Sequence, residues 1–81
     1  MSAADRIARV VMPAIVRERA EKYLVRIERA TDVETLRLAL ERAEGFGEGL
    51  EVLRALNPSD LEALYIAFDG AATARRLELE G

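Results

Sequence analysis

The sequence predicts an all-α protein, a small bundle of four to five helices with a long first helix kinked at Pro13. Three observations carry that expectation. Helix formers dominate, with 14 Ala and 11 Leu among 81 residues, so local preference is helical over most of the chain. Apolar residues recur at three- and four-residue intervals, and no stretch alternates with period two between turn residues as a half-buried strand would. Ser2, Thr31 and Asn57 are each followed three residues later by an acid, the phrase with which helices commonly begin. The length is that of one domain, residues 1–81, with 51% apolar residues to build a core and 33% charged residues to keep it in water.

The first helix opens at Ser2, whose hydroxyl can accept from the Asp5 amide while the Asp5 carboxylate reaches back. Its apolar positions begin as Ile7, Val10, Val11, Ala14 and Ile15, and continue after Pro13 as Val16, Ala20, Tyr23, Leu24 and Ile27. The proline removes one backbone donor and crowds the preceding turn, which predicts a kink or break near Met12. Thr31-Asp32-Val33-Glu34 reads as a capping box with Thr31 at the cap, so a second helix starts at Asp32. Val33, Leu36, Leu40 and Ala43 give its buried stripe, and Gly45 is the expected left-handed stop, ending it near Glu44.

Gly45-Phe46-Gly47-Glu48-Gly49 then reads as a tight connection with Phe46 turned inward, and Leu50, Leu53 and Leu56 as a short third helix. The strongest start signal is Asn57-Pro58-Ser59-Asp60, with a capping residue, proline at the first helical position and an acid in the first turn. Leu61, Leu64, Tyr65, Phe68, Ala72 and Leu79 keep helical spacing across Gly70, which permits either a continuous helix or a restart. Residues from Arg75 onward alternate charge and leucine and are expected to fray.

The composition narrows the functional classes. The chain has no His, Cys or Trp, so it lacks the commonest general base, the imidazole and thiolate metal ligands, and the thiol nucleophile. Neither catalysis nor a cofactor is expected. Asp60, Glu62 and Asp69 lack the alternating oxygen ligands of a calcium loop and read as caps and surface. The glycine-rich segment lacks the Lys and Ser/Thr of a phosphate loop, follows no strand, and carries Glu48 where a phosphate would sit.

The longest uncharged run, Val10 to Val16, spans seven residues, far short of the roughly 20 needed to cross a bilayer. It is also a poor signal peptide, so a cytoplasmic location without membrane association is expected. Arg outnumbers Lys 11 to 1, a usage that suits a GC-rich coding sequence and hints at a bacterium, or a phage or mobile element within one.

The charge pattern is the most informative feature. At about 100° per residue, Arg19, Lys22, Arg26 and Arg29 fall on one narrow arc of the first helix, with Val25 at its edge and Glu18, Glu21 and Glu28 on the remaining face. Residues 1–30 hold seven bases and four acids, net +3, whereas residues 31–81 hold five and eleven, net −6, in agreement with the overall −3. Such a row can meet an acidic protein surface or the phosphates of nucleic acid. A purely structural alternative pairs it with Glu41, Glu44, Glu48 and Glu51 on neighbouring helices.

A helix-turn-helix alignment on Ala43, Gly47 and Leu53 would present Gly49, Leu50, Glu51 and Arg54 to DNA, a set with a repelled carboxylate and one arginine. Val25, Leu38, Val52 and Ile66 lie off the core stripes; clustered, they would form a partner or self-association patch. The expected function is therefore that of a noncatalytic protein-binding module, a small regulator, adaptor or inhibitor acting by surface occupation. Phage-encoded blockers of host machinery, anti-CRISPR inhibitors among them, share its size and style. Its partner-binding residues would be Arg19, Lys22, Val25, Arg26 and Arg29. A homo-oligomer also fits, and the runner-up is a nucleic-acid-associated protein with the basic row on the backbone.

Overall fold

A computed structural model describes residues 1–81, all of them helix or short connection: α1 (Ala3–Arg6), α2 (Ala14–Glu28), α3 (Val33–Val52) and α4 (Pro58–Glu80). The long first helix does not form. Its opening is as the sequence indicates, since Ser2 Oγ accepts from the Asp5 amide at 3.2 Å and Asp5 Oδ2 from the Ser2 amide at 3.3 Å. The helix then stops after a single turn, and Pro13 stands as the N-cap of α2 in extended conformation.

The reason for a break in place of a kink lies in partners distant along the chain. A residue before proline is pushed toward extended backbone, and the groups thereby freed find partners elsewhere. Arg17 donates from Nη1 to the Ile7 carbonyl at 2.8 Å and from Nη2 to the Val10 carbonyl. The Val11 amide donates to Asp60 Oδ1 of α4 at 3.0 Å. Ile7 and Val10 consequently point into the core, whereas Val11 and Ile15 are exposed.

The second predicted helix is longer than expected. Asp32, one residue after the expected Thr31, is the N-cap and accepts from the Thr35 amide at 2.7 Å. Neither Gly45 nor the following glycines end α3, which absorbs the predicted connector and the start of the predicted third helix. Its stop is Arg54, at φ 53°. The Ala55 amide donates to the Leu50 carbonyl at 3.0 Å and the Arg54 amide to the Glu51 carbonyl at 3.1 Å, the double closure of a left-handed helix end.

α4 opens as the sequence indicates, with the Asn57 side chain accepting from the Asp60 amide at 2.9 Å and Pro58 in the first turn. It runs through Gly70 to Glu80 without the expected fraying. A Cβ on Gly70 would lie 3.2 Å from Arg6 Nη1, so the glycine leaves room for that guanidinium to cross. At 1.5 Å per residue α4 is about 34 Å long, and it sets the 37 Å long axis of the molecule.

α3 and α4 pack as a hairpin, α2 lies across both, and α1 with residues 7–13 closes one side. Ile7, Leu24, Ile27, Leu36, Leu64 and Phe68 are fully buried at the centre, and no polar or charged residue is buried. Gly47 of α3 faces Tyr65, whose ring carbon Cε1 lies 2.6 Å from where a Cβ would stand. No helix is long and apolar enough to cross a membrane.

Candidate functional site

α2 buries Ala20, Leu24 and Ile27, at i, i+4 and i+7, which turns the opposite face outward. Arg19, Lys22, Arg26 and Arg29 stand on that face and are exposed, with Val25 half-buried beside them. From Arg19 to Arg29 the row extends about 15 Å. No carboxylate of the protein comes within 4.0 Å of any of these four cations; the ion pairs that form are Arg6–Glu28, Arg37–Glu34, Arg37–Glu41 and Arg75–Glu78. Glu44, Glu48 and Glu51 are likewise free, and Glu41 is engaged by Arg37 of its own helix at 2.6 Å. The intramolecular pairing of the basic row with these acids is absent.

Arg26 is held by stacking. Its guanidinium carbon lies 5.4 Å from the centroid of the Tyr23 ring, which packs on Phe46 of α3 with centroids 5.0 Å apart and planes tilted by 31°. An exposed cation on an aromatic face gains about 0.5–1 kcal/mol, enough to favour one orientation. Beside it, a shallow groove runs between α2 and α3. Val25, Ala30, Leu38 and Ala39 line its apolar part, and Arg26, Arg29 and Arg42 rim it. Leu38 is 44% exposed there.

The predicted site residues thus divide. Val25, Arg26 and Arg29 share the groove, Lys22 lines an adjoining depression with Glu18, Glu21, Val25 and Arg26, and Arg19 lines neither. Arg42 was missed because α3 supplies it. The available signal was its position four residues after Leu38, which puts both on one helical face. Of the other off-stripe apolar residues, Leu38 joins Val25 here. Ile66 lies by Val10 in a separate depression, and Val52 stands 81% exposed at the far end of α3.

The acids of α3 form a second row. At about 100° per residue Glu44, Glu48 and Glu51 flank Gly47, which packs on Tyr65; burial first, and then their charges, push the Tyr65 hydroxyl above its ordinary range. Guanidinium groups, a threonine hydroxyl and aliphatic carbon make up the groove. Arginine stays protonated and presents a planar fork suited to carboxylate or phosphate oxygens. The groove thus sets fixed positive charge on either side of exposed apolar carbon. No protein-family model, no curated protein and no solved structure matches the chain.

Proposed function

We propose that the chain is a noncatalytic protein-binding module that takes an acidic partner surface on the ridge of α2 and the groove beside it. One observation carries this reading: Arg19, Lys22, Arg26 and Arg29 lie exposed with no carboxylate of their own to neutralise them. A row of unpaired cations next to apolar carbon is costly to leave without use, because like charges repel and confer no stability on the fold. Fixed positive charge beside an apolar floor gives both encounter rate and register to an acidic partner.

The same row favours a second reading, a nucleic-acid-associated protein with phosphates along α2. Glu18 and Glu21 stand in the depression that Lys22 and Arg26 line and would oppose a phosphate backbone. An affinity pull-down from bacterial lysate, with and without nuclease, separates the two. Capture that survives nuclease and disappears in Lys22→Glu/Arg26→Glu, with unchanged helical circular dichroism, is the expected result. Capture lost to nuclease, with log affinity falling steeply against log salt, supports phosphate binding in its place. Capture indifferent to the double reversal removes α2 from the function.

A further inference from the structure

Arg19, Lys22, Arg26 and Arg29 lie unpaired on α2, and Glu44, Glu48 and Glu51 lie unpaired on α3, where Arg37 holds Glu41 at the end of the acidic row; the spacings of the two rows coincide. Arg19, Lys22, Arg26 and Arg29 are separated by three, four and three residues. Glu41, Glu44, Glu48 and Glu51 are separated by three, four and three as well. On helices of equal rise, each row covers about 15 Å with charges in matching register, read in either direction. Within one molecule no ion pair joins the two rows.

The layout of the exposed face of α3 is defined. At about 100° per residue, Glu44, Glu48 and Glu51 flank Gly47, whose Cα side packs on Tyr65 of α4. Arg42 and Leu38 face the α2 side, in the groove with Arg26 and Arg29. Between them run Gly45, Gly49 and Val52: a Cβ on either glycine would meet no atom within 4 Å, and Val52 is 81% exposed. The order across the face is therefore basic row, small and apolar strip, acidic row.

We infer that a second copy of the chain covers this face, the basic row of α2 in each protomer lying against the acidic row of α3 in the other. A two-fold axis parallel to α3 exchanges left and right and so sets each acidic row opposite a basic one. A two-fold across α3 would set like charges together, and electrostatics excludes it. Matched in opposite chain directions, the rows oppose Arg19 to Glu51, Lys22 to Glu48, Arg26 to Glu44 and Arg29 to Glu41. Gly45 and Gly49 let the two backbones approach, and Val52 and Leu38 lose exposed apolar surface. This inference rests on the reading of α2 as a binding ridge and names its occupant, with which an acidic foreign protein must compete.

The test is sedimentation equilibrium of the full chain with a reciprocal charge swap. The wild type is expected to rise with concentration from 9.0 kDa toward twice that mass, and high salt to reverse the rise. Lys22→Glu/Arg26→Glu alone and Glu44→Lys/Glu48→Lys alone each place like charges at both contacts, and each is expected to weaken association by at least about tenfold. Mixed in equal amounts, the two variants regain opposite charges at both contacts and should recover the doubled mass. Circular dichroism confirms that each variant is folded.

A wild type that stays at 9.0 kDa up to about 1 mM, a regime in which even weak interfaces assemble, overturns the inference. So does a dimer unaffected by either variant, or a mixture that fails to restore it. A monomeric wild type whose capture of an acidic partner still requires Lys22 and Arg26 defeats this inference alone. A charge-dependent dimer with no such capture defeats the foreign-partner reading alone.

Discussion

Three residues decide more of this structure than their chemical type suggests. Gly47 stands where any side chain would meet the Tyr65 ring, with prospective distances of 2.6 Å to Cε1 and 2.9 Å to Cζ. Gly47→Ala is expected to lower unfolding free energy by about 1–3 kcal/mol through overpacking. Gly49, with open space around it, should behave oppositely: Gly49→Ala should raise stability by about 0.5–1 kcal/mol, since glycine inside a helix is disfavoured. Urea denaturation of the dilute protein reads both signs. Arg54 adopts φ 53°, a conformation that costs a residue with a Cβ about 1–2 kcal/mol. Arg54→Gly should therefore stabilise the protein by about 1 kcal/mol, and an unchanged denaturation midpoint would refute strain at that position.

At the scale of elements, what could be read from the sequence was what local chemistry settles. The Ser2 and Asn57 caps are made by residues three positions apart, and both sit where the sequence placed them. Thr31 and Asp32 are adjacent capping types, so local preference alone could not choose between them. Gly45 looked like a stop, yet α3 continues because Ala43, Gly47 and Leu50 are all buried beyond or beside it, and that packing outweighs glycine's preference. The true stop is an arginine in a glycine's conformation, which leaves no trace in composition. The break at Pro13 depends on Arg17 and on Asp60, the latter 49 positions from the amide it accepts. Arg17→Met should therefore speed amide exchange at Ile7 to Val11 while leaving α3 and α4 protected. Equal acceleration everywhere would show that the clamp is not local. The start of α3 carries a pH dependence. Hydrogen bonds from Thr35 hold the Asp32 carboxyl below its ordinary 3.8, and Arg37 holds Glu34 below its ordinary 4.5. Depressed carboxyl values mean that the folded state binds fewer protons. Their stabilisation is complete above those ordinary values and drains away as pH falls through and beneath them. Thermal melts from about pH 7 to about pH 2 should show this fall, and Asp32→Asn should flatten part of it.

At the scale of the whole molecule the governing fact is charge sorted by helix. The basic row of α2 was legible because one helix of period 3.6 determines it. The groove was not, because Leu38 and Arg42 reach it only through the packing of α3 on α2. Nor could the sequence tell whether the acids of α3 neutralise that row. The fold answers that no ion pair joins the two rows. Charge left unsatisfied inside one molecule is available for contacts between molecules, and in the proposed dimer the shared three-four-three spacing would set where they fall. The most direct measurement is a dilution series followed by backbone amide NMR. Concentration-dependent shifts are expected only at residues 19–29 of α2 and 38–52 of α3, moving together along one binding curve and abolished by salt. Shifts confined to α2 alone, spread over the outer face of α4, or absent up to about 1 mM would contradict the proposed dimer.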